Sequence, residues 1–334
     1  MLPVEPQAAP RWTPRTDFSG VPALTFDFPG VSVGVAEYEE GPTGCTVVAF
    51  ERPRRTAIDI QGGWPATIGD HDYNRAIVMA GGSIYGLEAQ AGVVAELTAR
   101  ANVSPPEDPT SRFQPVSGAI IYDFGPTRRD ASIYPDYFLG RTAASALREG
   151  WFPLGSRGGA RCARIGSFLF QQGEPGGQGA AFREIGGVKI LVCTVVNALG
   201  GIVDREGHTV RGNRHPDTGE RLRILPEVER RLAGGSAPPT LPRPPIFRSR
   251  HTTLTTVVTN AKMDQTALRQ FGRQVHSSMA RAIEPFHSIL DGDVLYAITT
   301  DEVDAPIPSE MLAVLAGEVA WDAVLAAVEH ADPA

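Results

Sequence analysis

Lysine is nearly missing from this sequence: only Lys189 and Lys262 occur among 31 basic residues, so 29 are arginine. Arginine stays protonated, which leaves few amines available as general bases. Cysteine is also scarce. Cys45, Cys162 and Cys193 are far apart and odd in number, with no CxxC pair and no Cys/His spacing. That excludes a disulfide framework and a zinc site and suggests buried thiols in a reducing compartment. No apolar run of about 18 residues stands out as a membrane span. The start, MLPVEPQAAPRW, lacks the basic and apolar regions of a secretory signal, so the cytoplasm is the expected compartment. Basic excess is lacking too. A formal net charge of -7 argues against a general nucleic-acid binder, which needs a basic face.

What is present is ordinary for a soluble globular chain: 334 residues, 42% hydrophobic and 21% charged. Residues 1–25 read as an irregular, proline-rich arm. Residues 31–36 and 45–50 read as strands joined by the turn EEGPTG. AIVMA (76–80) reads as a buried strand. After it Leu87, Ala91, Val94 and Leu97 recur at helical spacing. Gly81, Gly82 and Ser83 lie between, where a turn can present backbone N–H groups at a helix start. SGAIIYD (117–123) and VKILVCTVV (188–196) read as strands, and 136–149 as a helix stopped by Gly150.

Residues 214–250 are rich in proline and arginine, with APPTLPRPP near their end, and read as a surface loop or flexible linker. Order then returns abruptly. HTTLTTVVTNA (251–261) is β-branched and strand-like. Leu268, Phe271, Val275, Met279 and Ile283 form one helical stripe. DGD (291–293) opens the strand VLYAITT (294–300), and 309–328 reads as a last helix with Leu312, Leu315, Val319 and Val324 inward. Strands and helices mix without strict alternation, which fits a layered α/β sandwich rather than a doubly wound parallel sheet.

One junction carries chemistry. A long loop runs into a strand whose first residues are Thr252 and Thr253. A threonine hydroxyl there can attack the preceding carbonyl and move the acyl group from nitrogen to oxygen. Hydrolysis then frees an N-terminal threonine that carries nucleophile and base together. Its α-amino group has a pKa of roughly 7.7–8.0, close to working pH.

The stretch HTTLTTVVTNAKM…FGRQVHSSMARAIEPFHSILDGDVLYAITTDE resembles the small chain of a family of autoprocessing aminopeptidases and amidohydrolases. That family includes D-aminopeptidases, β-peptidyl aminopeptidases and nylon-oligomer hydrolases. FDFPGVSVGVAEYEEGPTG (26–44), AGGSIYGLEAQAGV (80–93), AIIYDF (119–124), GQGAAFR (177–183), GIVDREG (201–207) and VAWDAVLAA (319–327) resemble the nylon-oligomer (6-aminohexanoate oligomer) endo-hydrolase branch. The resemblance implies a four-layer αββα sandwich of the N-terminal-nucleophile type. It implies self-cleavage between His251 and Thr252 into a large chain, 1–251, and a small chain, 252–334, that together form one domain. It also implies a homotetramer of processed units, with no metal or organic cofactor.

By the same resemblance Thr252 is the nucleophile and Asn197 polarises the reacting carbonyl. Asp291 and Asp293 orient the new amine and the hydroxyl, and Tyr122 lines the site. Gly81 and Gly82 are expected to supply backbone donors near the substrate. Two positions depart from the branch. His251 stands where asparagine precedes the cut, and Ser167 stands where a lysine lies near the nucleophile. The expected consequence is slower self-cleavage or an altered substrate range. The expected substrate is a linear amide such as a 6-aminohexanoate oligomer. The alternatives are an exo-acting aminopeptidase or β-peptidyl amidase and a non-catalytic homologue.

Overall fold

The computed structural model describes residues 11–101, 113–128, 130–170, 173–235 and 251–333. Among the described residues the main sheet has ten strands, two of them only two residues long; the eight longer ones are β1 (Val31–Tyr38), β2 (Thr43–Ile60), β3 (Tyr73–Ala80), β4 (Val116–Ile120), β5 (Gly177–Ile185), β6 (Val188–Asn197), β7 (Thr252–Ala261) and β8 (Val294–Val303). Among the described residues five α-helices accompany them: α1 (Ala89–Arg100), α2 (Tyr137–Ser145), α3 (Ile224–Leu232), α4 (Gln265–Ser278) and α5 (Ser309–Glu329).

The strands hydrogen-bond in the order β5-β6-β7-β8-β2-β3-β4, with β1 also paired to the first half of β2. β2 belongs to both halves of this path. Its residues 43–50 pair with β1 and its residues 55–60 with β8. Between them the register with β3 slips from Ala49 to Arg54. Glu51, Arg52 and Pro53 are exposed there, and Pro53 has no N–H to give to a ladder. A bulge of this kind bends a strand, and here it carries β2 from one sheet layer to the other.

Three hydrophobic cores result. Ile190, Val192, Val257 and Leu295 face Phe271, Val275, Leu312 and Val319 of α4 and α5. Leu191, Cys193, Leu254, Val258 and Tyr296 face Val33, Val35, Val48, Ile77 and Met79 across the middle. Val47, Val78 and Ala80 pack on Val93, Leu97, Leu139 and Ala143 of α1 and α2. Three cores separate four layers, in the order helix, sheet, sheet, helix. β6 is apolar almost throughout because both its faces are buried.

The expected α/β sandwich is therefore present. Strand 45–50 runs far longer than its apolar segment, to Ile60, and β5 was not singled out as a strand. In α1 the buried residues are Ala89, Gly92, Val93 and Leu97, so the inward face is rotated from the Leu87, Ala91, Val94, Leu97 stripe. The stripe in and beyond α4 is buried as spaced: Leu268, Phe271, Val275, Met279 and Ile283. The linker expectation for 214–250 needs correction: α3 lies inside it, stabilised by Glu227 pairing with Arg230 and Arg231 at 2.6 Å. Residues 236–250, like 1–10 of the expected arm, lie outside the described residues. α5 is long and apolar enough to cross a membrane by length and composition, with mean hydropathy 1.8. Its apolar face instead packs into the α4/α5 core.

Candidate functional site

Topology explains why residues distant in sequence meet. β7 pairs antiparallel with β6, so the end of β6 lies beside the start of β7. β7 pairs parallel with β8, so both begin at the same edge. Asn197 is directly in register with Thr252, and His251 forms a parallel bridge with Asp291. The last residue of β6, the first of β7 and the turn entering β8 thus gather at one end of the central layers.

At that end Thr252 is 4% exposed. Its hydroxyl donates to the carbonyl oxygen of His251 at 2.5 Å. The same carbonyl accepts the backbone N–H of Gly292 at 2.9 Å. Gly292 must be glycine: a β-carbon would stand 2.7 Å from Thr252 Oγ1 and 2.7 Å from the carbonyl oxygen of Trp64. The turn is supported from behind by the 62–64 segment. Trp64 N–H donates to the Asp291 carbonyl at 2.9 Å, and a β-carbon on Gly62 would meet the Asp293 nitrogen at 2.2 Å.

The two carboxylates are buried and held by backbone donors. Asp293 accepts the N–H of Thr253 at 2.7 Å, one residue beyond the hydroxyl. Asp291 accepts Ser288 N–H at 2.9 Å and Leu199 N–H at 3.4 Å. Asp293 thus grips the backbone next to Thr252, Asp291 holds the turn before it and the chain beyond β6, and the Thr252 hydroxyl itself bonds to the His251 carbonyl. Burial pushes the Asp291 carboxyl up to about 6, the Asp293 charge adds to the rise, and the Ser288 and Leu199 hydrogen bonds oppose it.

Asn197 Oδ1 accepts Arg164 N–H at 2.7 Å, and its Nδ2 donates to the Tyr122 carbonyl at 3.2 Å. Tyr122 therefore meets Asn197 through its backbone, while its ring stands edge-on to Phe124 at 5.1 Å. Ser167 Oγ lies 2.7 Å from His251 Nε2, both residues being buried. Gly166, just before it, is tied to the chain beyond β6 by its N–H to the Ala198 carbonyl at 3.0 Å.

Gly81 and Gly82 do not fit the role expected of them. Gly81 N–H donates to the Gly44 carbonyl, Ser83 N–H to the Ile121 carbonyl, and Gly82 N–H to Asp123 Oδ1 at 2.9 Å. Asp123 is itself fully buried and bound by Thr43 and Arg128. These donors are consumed in anchoring the turn, so they are not offered to a substrate.

Sequence reasoning overlooked the Gly292 N–H, the Gly62–Gly63–Trp64 support and His287. The glycine between two aspartates in DGD was the available signal for the first. Among the described residues no group of three or more His, Cys, Asp or Glu is arranged to hold a metal.

Comparison with known proteins gives the family and the fold. The profile of peptidase family S58 matches residues 23–332. The 6-aminohexanoate-oligomer endohydrolase of Paenarthrobacter ureafaciens is 44% identical over 322 residues, spanning 92% of this chain and 87% of that protein. The enzyme of the same name from Kocuria sp. (strain KY2) is 43% identical over 322 residues, spanning 93% and 87%. Among solved structures, the L-aminopeptidase D-Ala-esterase/amidase of Ochrobactrum anthropi, described as a variant of the Ntn hydrolase fold, superposes with a TM-score of 0.67. It is 17% identical and covers 92% of this chain and 86% of its own, a likeness of fold.

Proposed function

From the premise that this chain belongs to peptidase family S58, we propose that it is an amide hydrolase that cuts itself between His251 and Thr252 and then works through the freed Thr252. The observation that carries the reading is the Thr252 hydroxyl held against the His251 carbonyl, with the Gly292 N–H on the same oxygen.

In the first step Thr252 Oγ attacks the His251 carbonyl carbon. The developing negative charge falls on the oxygen that Gly292 N–H already contacts, the place where a preorganised donor helps most. The C–N bond breaks, the nitrogen takes up the hydroxyl proton and becomes an amine, and His251 is left as an ester on Thr252 Oγ. Water then cleaves the ester, giving a carboxylate at His251 and restoring the hydroxyl. Asp293, bonded to the next backbone nitrogen, is placed to hold the new ammonium by a charge-assisted hydrogen bond.

The mature cycle repeats this chemistry on a substrate amide. Thr252 attacks, Asn197 serves the oxyanion, Tyr122 lines the site, and the α-amine, oriented by Asp291 and Asp293, carries the proton to the leaving group. Water releases the acyl group. The proposed substrates are linear amides of the 6-aminohexanoate oligomer kind, because the relatives at 43% and 44% identity are named for that activity. The reading includes a homotetramer of processed units, as the family resemblance implies. It places the protein in the cytoplasm, where the free Cys45, Cys162 and Cys193 would stay reduced.

Incubation of the processed protein with end-blocked and free-amine aminohexanoate oligomers, followed by product analysis, tests the substrate. Cleavage of both forms is expected. Turnover of free-amine ends alone would make it an exo-acting aminopeptidase, and turnover of neither would favour a non-catalytic role.

A further inference from the structure

Behind Asp293 lies a row of side chains to which the proposed reaction gives no task. His287 stands at φ 58°, in the left-handed region that favours glycine and asparagine. That backbone brings two of its groups onto one oxygen: the His287 N–H lies 3.2 Å from Asp293 Oδ2, and the ring Nδ1 lies 3.1 Å from it. Facing a carboxylate oxygen, Nδ1 is the protonated ring nitrogen. Asp293 is wholly buried, and its other oxygen takes the Thr253 N–H. One residue in a strained conformation thus supplies two of the three hydrogen bonds made to this carboxylate among the described residues.

The His287 ring is held in turn. His276 of α4 meets it edge-on, with centroids 4.3 Å apart at 77°. His276 is fully buried, and its Nδ1 lies 2.8 Å from Asp59 Oδ2 near the end of β2. Asp59 also accepts Gln61 Nε2 at 3.0 Å and faces Arg273 Nε at 3.6 Å. Burial lowers the His276 pKa, while its hydrogen bond with Asp59 opposes that shift. The titratable and charged groups facing this row are therefore Asp59, Arg273, His276, His287 and Asp293. Nε2 of His276 and Nε2 of His287 are both buried without a hydrogen-bond partner among the described residues. Such orphans and a strained backbone persist where the surroundings over-determine the geometry, commonly at functional sites.

We propose that His287 is a positioning residue for the nucleophile: its two donors hold Asp293, and through Asp293 the start of β7, in the orientation that self-cleavage and turnover both need, with His276 and Asp59 holding the His287 ring. This rests on the reading of Thr252 as nucleophile.

Two variants separate the ring from the backbone. His287→Gly keeps the left-handed conformation and the N–H but removes the ring. His287→Asn tolerates the same conformation and restores a side-chain donor. The full-length protein is expressed in each form. Self-cleavage is followed by mass spectrometry, and kcat and KM of the processed enzyme are measured on aminohexanoate oligomers. His287→Gly is expected to lower both the cleavage rate and kcat by about 10- to 100-fold, the usual range for a residue that orients a reacting group through another. KM is expected to stay unchanged, and His287→Asn to recover most of the loss. Wild-type rates in His287→Gly, a loss confined to KM, or no rescue by Asn would overturn the proposal. Thr252→Ala runs in parallel: cleavage or turnover surviving in that variant defeats the nucleophile reading itself, whatever His287 does.

Discussion

Thr252 and Gly292 illustrate what a single position can and cannot disclose. A threonine opening a β-branched strand is common, and only the segments around it, matched as a family pattern, gave it a reactive role. Asn197, Asp291 and Asp293 were named by the same route, and the structure brings them to the same end of the sheet as Thr252. Gly81 and Gly82 were misread because a glycine-rich turn before a helix has the same appearance whether its N–H groups face a ligand or, as here, Gly44 and Asp123. Gly292→Ala should push Thr252 Oγ1 off the His251 carbonyl, since the added carbon has only 2.7 Å of room. Self-cleavage slowed by at least roughly tenfold is expected, because misplacement by about 1 Å costs up to 10²-fold. A time course on denaturing gels measures it. Asp291 gives a pH dependence. Its carboxyl, pushed up to about 6, is charged only above that pH. Self-cleavage and turnover should therefore rise as pH passes upward through about 6, and Asp291→Asn should flatten that limb. Stability moves the other way. The folded carboxyl keeps its proton where the unfolded one, at its ordinary 3.8, has lost it. Its stabilising contribution is thus present on the acid side and lost as pH rises through about 6. Denaturant midpoints of wild type and Asp291→Asn across that range check the sign.

At the scale of elements, the pattern that could be read depended on how each one is buried. α4 has one buried face, so its stripe was visible at helical spacing and is buried as spaced. Phe271→Ala should cost about 3–5 kcal/mol in urea denaturation, the range for deleting a fully buried aromatic ring. β6 and β7 are buried on both faces, and their apolar or β-branched runs read as strands for that reason. β2 was cut short because Glu51, Arg52 and Pro53 look like the end of a strand, whereas they form the exposed bulge where it changes layers. α3 was hidden because local composition signalled a linker. Ile224 is its one buried residue, and side-chain ion pairs support the rest of the helix.

At the scale of the whole molecule, the sandwich does two things for the proposed chemistry. It brings strand ends from three parts of the chain to one edge, an outcome of antiparallel and parallel pairing around β7 that no local window contains. It also fastens the product of the cut. β7 and β8 lie between β6 and β2, and α4 and α5 share a core with β6. The fragments 1–251 and 252–334 should therefore co-elute in gel filtration after processing and separate only in denaturant. Dissociation in native buffer would contradict this view of the central sheet.

The account turns on the bond between His251 and Thr252. Intact-mass measurement of purified protein over a long incubation, beside Thr252→Ala, tests it most directly. The account predicts conversion of wild type into two species with masses of residues 1–251 and 252–334, and a variant that remains whole. A single uncut species in both, or the same cut in Thr252→Ala, would contradict it.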